Sequence, residues 1–97
     1  MHHREPMNNV GFEQISVTAS AASLTVPARA RRAEIQVLTA DIYYVEDGGT
    51  PSATNGMEAY NGKSLPYLDH DYRTILLNFK AIRQGSTNAK LNVNYYD

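Results

Sequence analysis

With 97 residues, no cysteine and a net charge of −1, the chain has room for one small domain and excludes disulfide scaffolds, cysteine-ligated zinc and thiol catalysis. Val, Ile, Leu and Phe together supply only 20 residues, against 11 Ala and seven Tyr; a thin core in a nearly neutral chain predicts a folded protein that gains stability from partners. The pI near 6.3 lacks the basic excess of a nucleic-acid binder, no apolar run approaches the ~18 residues of a membrane span, and MHHREPMNNV has no apolar stretch to serve as a secretory signal.

Residues 1–11 carry His2, His3, Arg4, Glu5, Pro6, Asn8 and Asn9 with no periodic apolar face. They are expected to form an N-terminal arm ahead of a single domain over residues 12–97, either a mobile terminus or a segment that orders on a neighbour. From Phe12 the chain reads as short strands. Ile15 and Val17 alternate with Gln14, Ser16 and Thr18, which is the period of a half-buried strand. Residues 19–23 are a small-residue link. Leu24-Thr25-Val26 alternates again until Pro27 removes a donor. Ala33, Ile35 and Val37 alternate with Glu34 and Gln36. Pro27 could instead open a helix over residues 28–38, but the alternation and the β-branched run that follows favour strand. I-Y-Y-V at 42–45 suits a pleated surface.

D-G-G-T-P at 47–51 is the strongest turn signal, and the polar run to Gly56 predicts a surface loop. Residues 57–60 read as a short strand, and Asn61-Gly62 as a tight turn. Residues 64–68 hold Leu65 and Tyr67, with Pro66 placing them at an edge. Asp69-His70-Asp71 is a polar break. Residues 74–81 carry Ile75, Leu77 and Phe79 on one parity and are expected to be a strand. Residues 84–88 form a turn cluster, and residues 89–95 close the chain with Leu91, Val93 and Tyr95 on one face. About seven or eight short antiparallel strands with turns every 8–12 residues predict an all-β fold, a single small β-sandwich (jelly-roll or Ig-like) or a small barrel.

Few motifs carry chemistry. Arg29, Arg31 and Arg32 sit within four residues; they form either a solvated face or a contact for an acidic neighbour or phosphate. Between positions 41 and 72, Asp41, Glu46, Asp47, Glu58, Asp69 and Asp71 face only Lys63. Such a division of charge would permit head-to-tail contact between copies. Asp69-His70-Asp71 lacks the spacing of a calcium loop and reads as a surface turn. No phosphate loop, nucleophile elbow or zinc-protease motif is present, so no catalytic residue, cofactor or metal is expected. The pairs Tyr43-Tyr44 and Tyr95-Tyr96 put one ring on each face of a strand. Of these, Tyr43, Tyr44 and Tyr96 join the three arginines as candidate partner-binding residues. Exposed rings at such positions serve as an interface, a sugar-stacking platform (Tyr43, Tyr44 or Tyr60) or plain sheet surface.

SLTVP (23–27), AEIQVLTADIYYVEDGGTPSATNGM (33–57) and FKAIRQGSTNAKLNVNYYD (79–97), taken in order, resemble a group of small virion proteins of tailed bacteriophages. The resemblance covers residues 12–97. It implies a β-sandwich accessory protein of the head, or of the neck or tail. Relatives tend to have a small V-P-A-G-A turn, whereas here Arg29, Arg31 and Arg32 follow Val26-Pro27, which points to a contact there peculiar to this chain. The function that follows is a non-enzymatic capsid decoration (cement) protein on the virion surface. Its expected partners are the major capsid protein across its subunit junctions and further copies of itself, with no nucleic acid and no membrane. A neck, tail or fibre-associated β-module of the virion and a host-carbohydrate-binding module are the rival readings.

Overall fold

The computed structural model describes residues 7–97. Eight strands form in chain order: β1 (Asn9–Val17), β2 (Ala22–Ser23), β3 (Arg32–Leu38), β4 (Ile42–Val45), β5 (Met57–Ala59), β6 (Ser64–Tyr67), β7 (Lys80–Arg83) and β8 (Ala89–Tyr96). One helix, α1 (Arg73–Asn78), lies between β6 and β7. The strands make two four-stranded antiparallel sheets, ordered β1-β8-β3-β6 and β2-β7-β4-β5. The pairing is nested: first strand with last, second with seventh, third with sixth, fourth with fifth. A chain paired in this way is one long antiparallel ribbon, folded over so that β8 also meets β3 and β7 also meets β4.

One apolar cluster draws on both sheets. Ile35, Val37, Leu91, Val93 and Tyr95 enter from the first sheet, and Ile42, Tyr44 and Ala81 from the second, joined by Leu76 and Phe79. The alternation in β3 and β8 is the cause, because successive side chains point to opposite faces of a strand. Five alanines (Ala30, Ala33, Ala59, Ala81, Ala89) are buried in the same cluster. Tyr44 stacks on Phe79 with ring centroids 5.4 Å apart, a geometry worth about 0.5–1.5 kcal/mol beyond its area.

Four expectations need correction. Residues 19–23 are not only a link, because Ala22–Ser23 pairs with β7 as β2. Residues 74–81 are not one strand: Arg73–Asn78 is helical and β7 starts at Lys80. Leu76 and Phe79, three apart, are buried, while Leu77 is 55% exposed. The helix spacing therefore wins over the parity of Ile75, Leu77 and Phe79. Asp71 helps to start the helix by accepting the Arg73 N–H at 3.0 Å. Residues 24–26 do alternate in burial, but the Thr25 N–H goes to the Glu13 carboxylate at 2.9 Å and not to a strand. The expected arm, finally, is shorter than 1–11 within the described residues. Asn9 and Gly11 already pair with Tyr96 and Tyr95 across a bulge, so residues 9–11 belong to the sheet and not to an arm. Residues 1–6 lie outside the described residues.

Antiparallel strands send alternate connections to opposite ends. Residues 18–21, 39–41, 60–63 and 84–88 join strands at one end. Residues 24–31, 46–56 and 68–79 gather at the other, together with Asn8 and Asp97. The Asn61-Gly62 turn behaves as expected: Lys63 donates to the Tyr60 carbonyl at 2.9 Å, and Gly62 takes the positive φ of 94° that the third position of such a turn requires.

Candidate functional site

The three candidate arginines all sit at the end that carries Asn8 and Asp97, and each is held differently. Arg29 is exposed and reaches Asp97 at 3.4 Å. Arg31 donates to Asp71 at 2.7 Å. Arg32 opens β3 opposite Tyr96 in the ladder, half-buried, with an Nε that is buried and meets no acceptor among the described residues. A fourth, Arg73, was not singled out by sequence. Its Nη1 donates to the carbonyls of Pro27 and Ala30, both at 2.8 Å. It thereby fixes the turn from which Arg29 and Arg31 project. The available signal was composition alone, since an Arg at the start of a helix says nothing about its target carbonyls 43 and 46 residues away.

The acids at this end are tuned by the same contacts. The Arg73 N–H and then the Arg31 guanidinium hold the Asp71 carboxyl below the usual aspartate range. Asp97 is lowered by the Asn8 N–H, which it accepts at 2.9 Å, and further by Arg29. Asp69 is lowered by the Tyr72 hydroxyl and by His70. At this end basic and acidic groups are therefore not divided between two surfaces. Asp69 and Asp71 belong to the acidic middle of the sequence, yet Asp71 is paired with Arg31. Asp69-His70-Asp71 is a turn whose carboxylates diverge, one toward Tyr72 and His70, the other toward Arg31.

The tyrosines divide by burial. Tyr44 is buried against Phe79, so its ring is core and does not offer a contact surface. Tyr95 is buried and gives its hydroxyl to Glu13; Tyr67 gives its hydroxyl to Glu46. Burial first, then the bonded carboxylate, pushes both phenols well above the ordinary tyrosine range. Tyr43 and Tyr96 are half-buried on outer faces. Tyr60 is 57% exposed.

Two further surfaces were not anticipated. The outer face of β1-β8-β3-β6 is an amide-rich sheet. Asn9 donates to Asn94 at 3.2 Å, Gln14 to Asn92 at 2.9 Å, and Ser64 to Glu34 at 3.1 Å. Phe12 stands on it, 61% exposed. That position was readable, because Phe12 shares the parity of Gln14 and Ser16 and not that of Ile15 and Val17. At the end remote from the arginines, the β3–β4, β5–β6 and β7–β8 turns enclose an open cleft of about 480 Å3 with Tyr43 in its wall. Among the described residues no cluster of His, Asp and Glu has the form of a metal site, and no helix is long and apolar enough to cross a membrane.

No protein-family model matches the chain, and no curated protein and no solved structure shows significant similarity to it.

Proposed function

We propose that the protein is a non-enzymatic structural component of a bacteriophage virion, a decoration protein that binds across junctions between major capsid subunits. Its two sheets are read as a β-sandwich of the jelly-roll kind. The nested pairing of first with last and second with seventh strand supports that reading over an Ig-like one, whose sheets divide the strands differently. Jelly rolls recur in capsid and lectin domains. That analogy raises the prior for a virion role and does not by itself assign one.

The observation that carries the reading is the bonding of Asn8 to Asp97 beside Arg29. Asn8 thus lies at the end that bears Arg29, Arg31 and Arg32. An arm and an arginine-bearing turn that act together suit attachment to a shell. Arg29 and Arg31 keep exposed guanidinium groups whose present carboxylate partners are surface ones, and such pairs exchange readily across an interface. Binding to assembled subunits and not to separated ones would stabilise the shell by linkage. About 800 Å2 per partner suffices for specific attachment.

The test is occupancy on purified particles, with copy number measured against the major capsid protein. Hundreds of copies per particle support the cement role. Tens or fewer move the protein to the neck, tail or fibre, and absence from particles ends the reading. The triple reversal Arg29→Glu, Arg31→Glu and Arg32→Glu should lower occupancy and its salt dependence. Unchanged retention would make those residues a solvated face. Removing residues 1–6, which leaves the strand pairing of β1 intact, tests the arm separately.

A further inference from the structure

We infer that the cleft between the β3–β4, β5–β6 and β7–β8 turns is a binding site for a neutral saccharide. Its volume of about 480 Å3 lies within the range of small-molecule sites. Its lining suits a polyhydroxylated ligand. Tyr43 supplies an aromatic wall, Asp41 a carboxylate, Asn61 and Gln84 side-chain amides, and Thr39 and Thr87 hydroxyls. A sugar presents a C–H face that covers an aromatic ring, and adjacent hydroxyls that pair with planar carboxylate or amide groups. Among the lining residues Asp41 is the one acidic or basic side chain, so an anionic uronate or sugar phosphate has no cationic partner there and a neutral ring needs none.

The polar groups are fixed by backbone contacts. Asp41 accepts the Asn61 N–H through Oδ1 at 2.8 Å and the Gln84 N–H through its carbonyl at 3.0 Å. Gln84 Nε2 donates to the Ile42 carbonyl at 2.8 Å. These bonds tie three turns together and leave Asp41 Oδ2 and Gln84 Oε1 as acceptors for ligand hydroxyls. Held acceptors of this kind cost little ordering on binding.

Thr39 is an independent sign. It is the one residue other than glycine with positive φ among the described residues, at 77°. The Ala40 N–H bonds to the Leu38 carbonyl at 2.9 Å across it. This is a γ-turn of the strained hand, and a β-branched residue in it is an outlier. Glycine would take the same turn freely. Threonine instead keeps a hydroxyl at the cleft rim, and stored backbone strain of this kind concentrates at ligand sites. Tyr60 adjoins Asn61 in the chain but does not itself line the cleft; its hydroxyl donates to Glu58 at 3.4 Å, and Glu58 chiefly holds its phenol above the usual range.

The inference does not depend on capsid attachment. If the arginine-bearing end does face a particle, the cleft lies at the far end and faces solvent. The test uses the full chain on an array of neutral hexose and N-acetylhexosamine oligosaccharides beside uronate-containing ones. Titration of hexose oligosaccharides into 15N-labelled protein then maps the site. Neutral chains should be retained, and the amides of Thr39, Asn61, Gln84 and Ser86 should shift. Tyr43→Ala should weaken binding by about tenfold or more, whereas Tyr43→Phe should retain it. Thr87→Val, at an exposed turn, gives a readout if Tyr43→Ala disturbs the fold; it should weaken binding several-fold. Phe12→Ala, on the remote sheet face, should leave binding unchanged. No array signal with no amide shift overturns the inference, as does a preference for uronates or a site that maps away from the three turns. Occupancy on particles, read separately, decides the attachment proposal.

Discussion

The two ends of the molecule are built from the same sheets and treat their polar groups in opposite ways. At the arginine-bearing end, long connections fold back on themselves and satisfy one another. Arg73 ties the 27–30 turn, Arg31 meets Asp71, and Asp97 holds both Asn8 and Arg29. At the cleft end, four short turns meet with little side-chain cover, and acceptors on Asp41 and Gln84 are left to solvent. Loop length is the physical difference. Connections of eight or more residues can carry their own side-chain network, whereas turns of three to five residues spend their hydrogen bonds on the backbone and expose what remains.

Arg73→Ala should have the largest effect. It removes two charge-assisted bonds to half-buried carbonyls and should cost about 2–3 kcal/mol in chemical denaturation. A loss near zero would mean that the 27–30 turn is held by its own backbone. Tyr95→Phe should cost about 1–2 kcal/mol, because Glu13 loses the hydroxyl and keeps only the Thr25 N–H. Gly48→Ala should cost about 1–2 kcal/mol: Gly48 has φ of 83°, and an added Cβ would stand 3.1 Å from Asn78 Oδ1. Thr39→Gly at the cleft end should do the reverse and stabilise by up to about 1 kcal/mol, since relief of strain there outweighs the added freedom of the unfolded chain. A destabilised Thr39→Gly would show that the side chain, and not the turn, is what the fold uses.

The smallest effect is acid loosening of one end only. Asp69, Asp71 and Asp97 have lowered folded pKa values. Their contribution is full above the unfolded value of about 3.9 and is lost as pH falls through the folded values. Amide exchange at Asn8 and Arg73 should therefore rise in that window before the amides of Gly62 and Gln84, which bond to backbone carbonyls, respond. Equal response at both ends would contradict the contrast drawn between them. In alkali the sign reverses. Tyr67 and Tyr95 are raised, so their contribution is full below about pH 10 and declines above it.

Much of the sheet was legible because period-2 alternation is local. β3, β4, β6 and β8 fall where Ile35 and Val37, the I-Y-Y-V run, Leu65 and Tyr67, and Leu91 and Val93 indicated. The division of Tyr95 from Tyr96 by burial was legible for the same reason. α1 was not, since six residues are too few for a helical period to outvote a strand parity, and its stability comes from burying Leu76 and Phe79. Of the candidate residues, the co-location of Arg29, Arg31 and Arg32 was legible, but their pairing with Asp97 and Asp71 was not. Those contacts span 68 and 40 residues.

The sequence alone determined that this is a small all-β chain, which parities face inward, where the turns at Asn61-Gly62 and Asp47-Gly48 lie, and that its core would be thin in large apolar residues. These follow from neighbours in the chain, whose side-chain directions the backbone fixes. The tertiary structure alone decided that β1 pairs with β8 and β2 with β7, that the basic and acidic segments meet at one end, and that Asp41, Tyr43 and Gln84 share a cleft at the other. Each of these depends on bringing distant segments together, and the free energy that does so belongs to the buried cluster as a whole and to no local pattern.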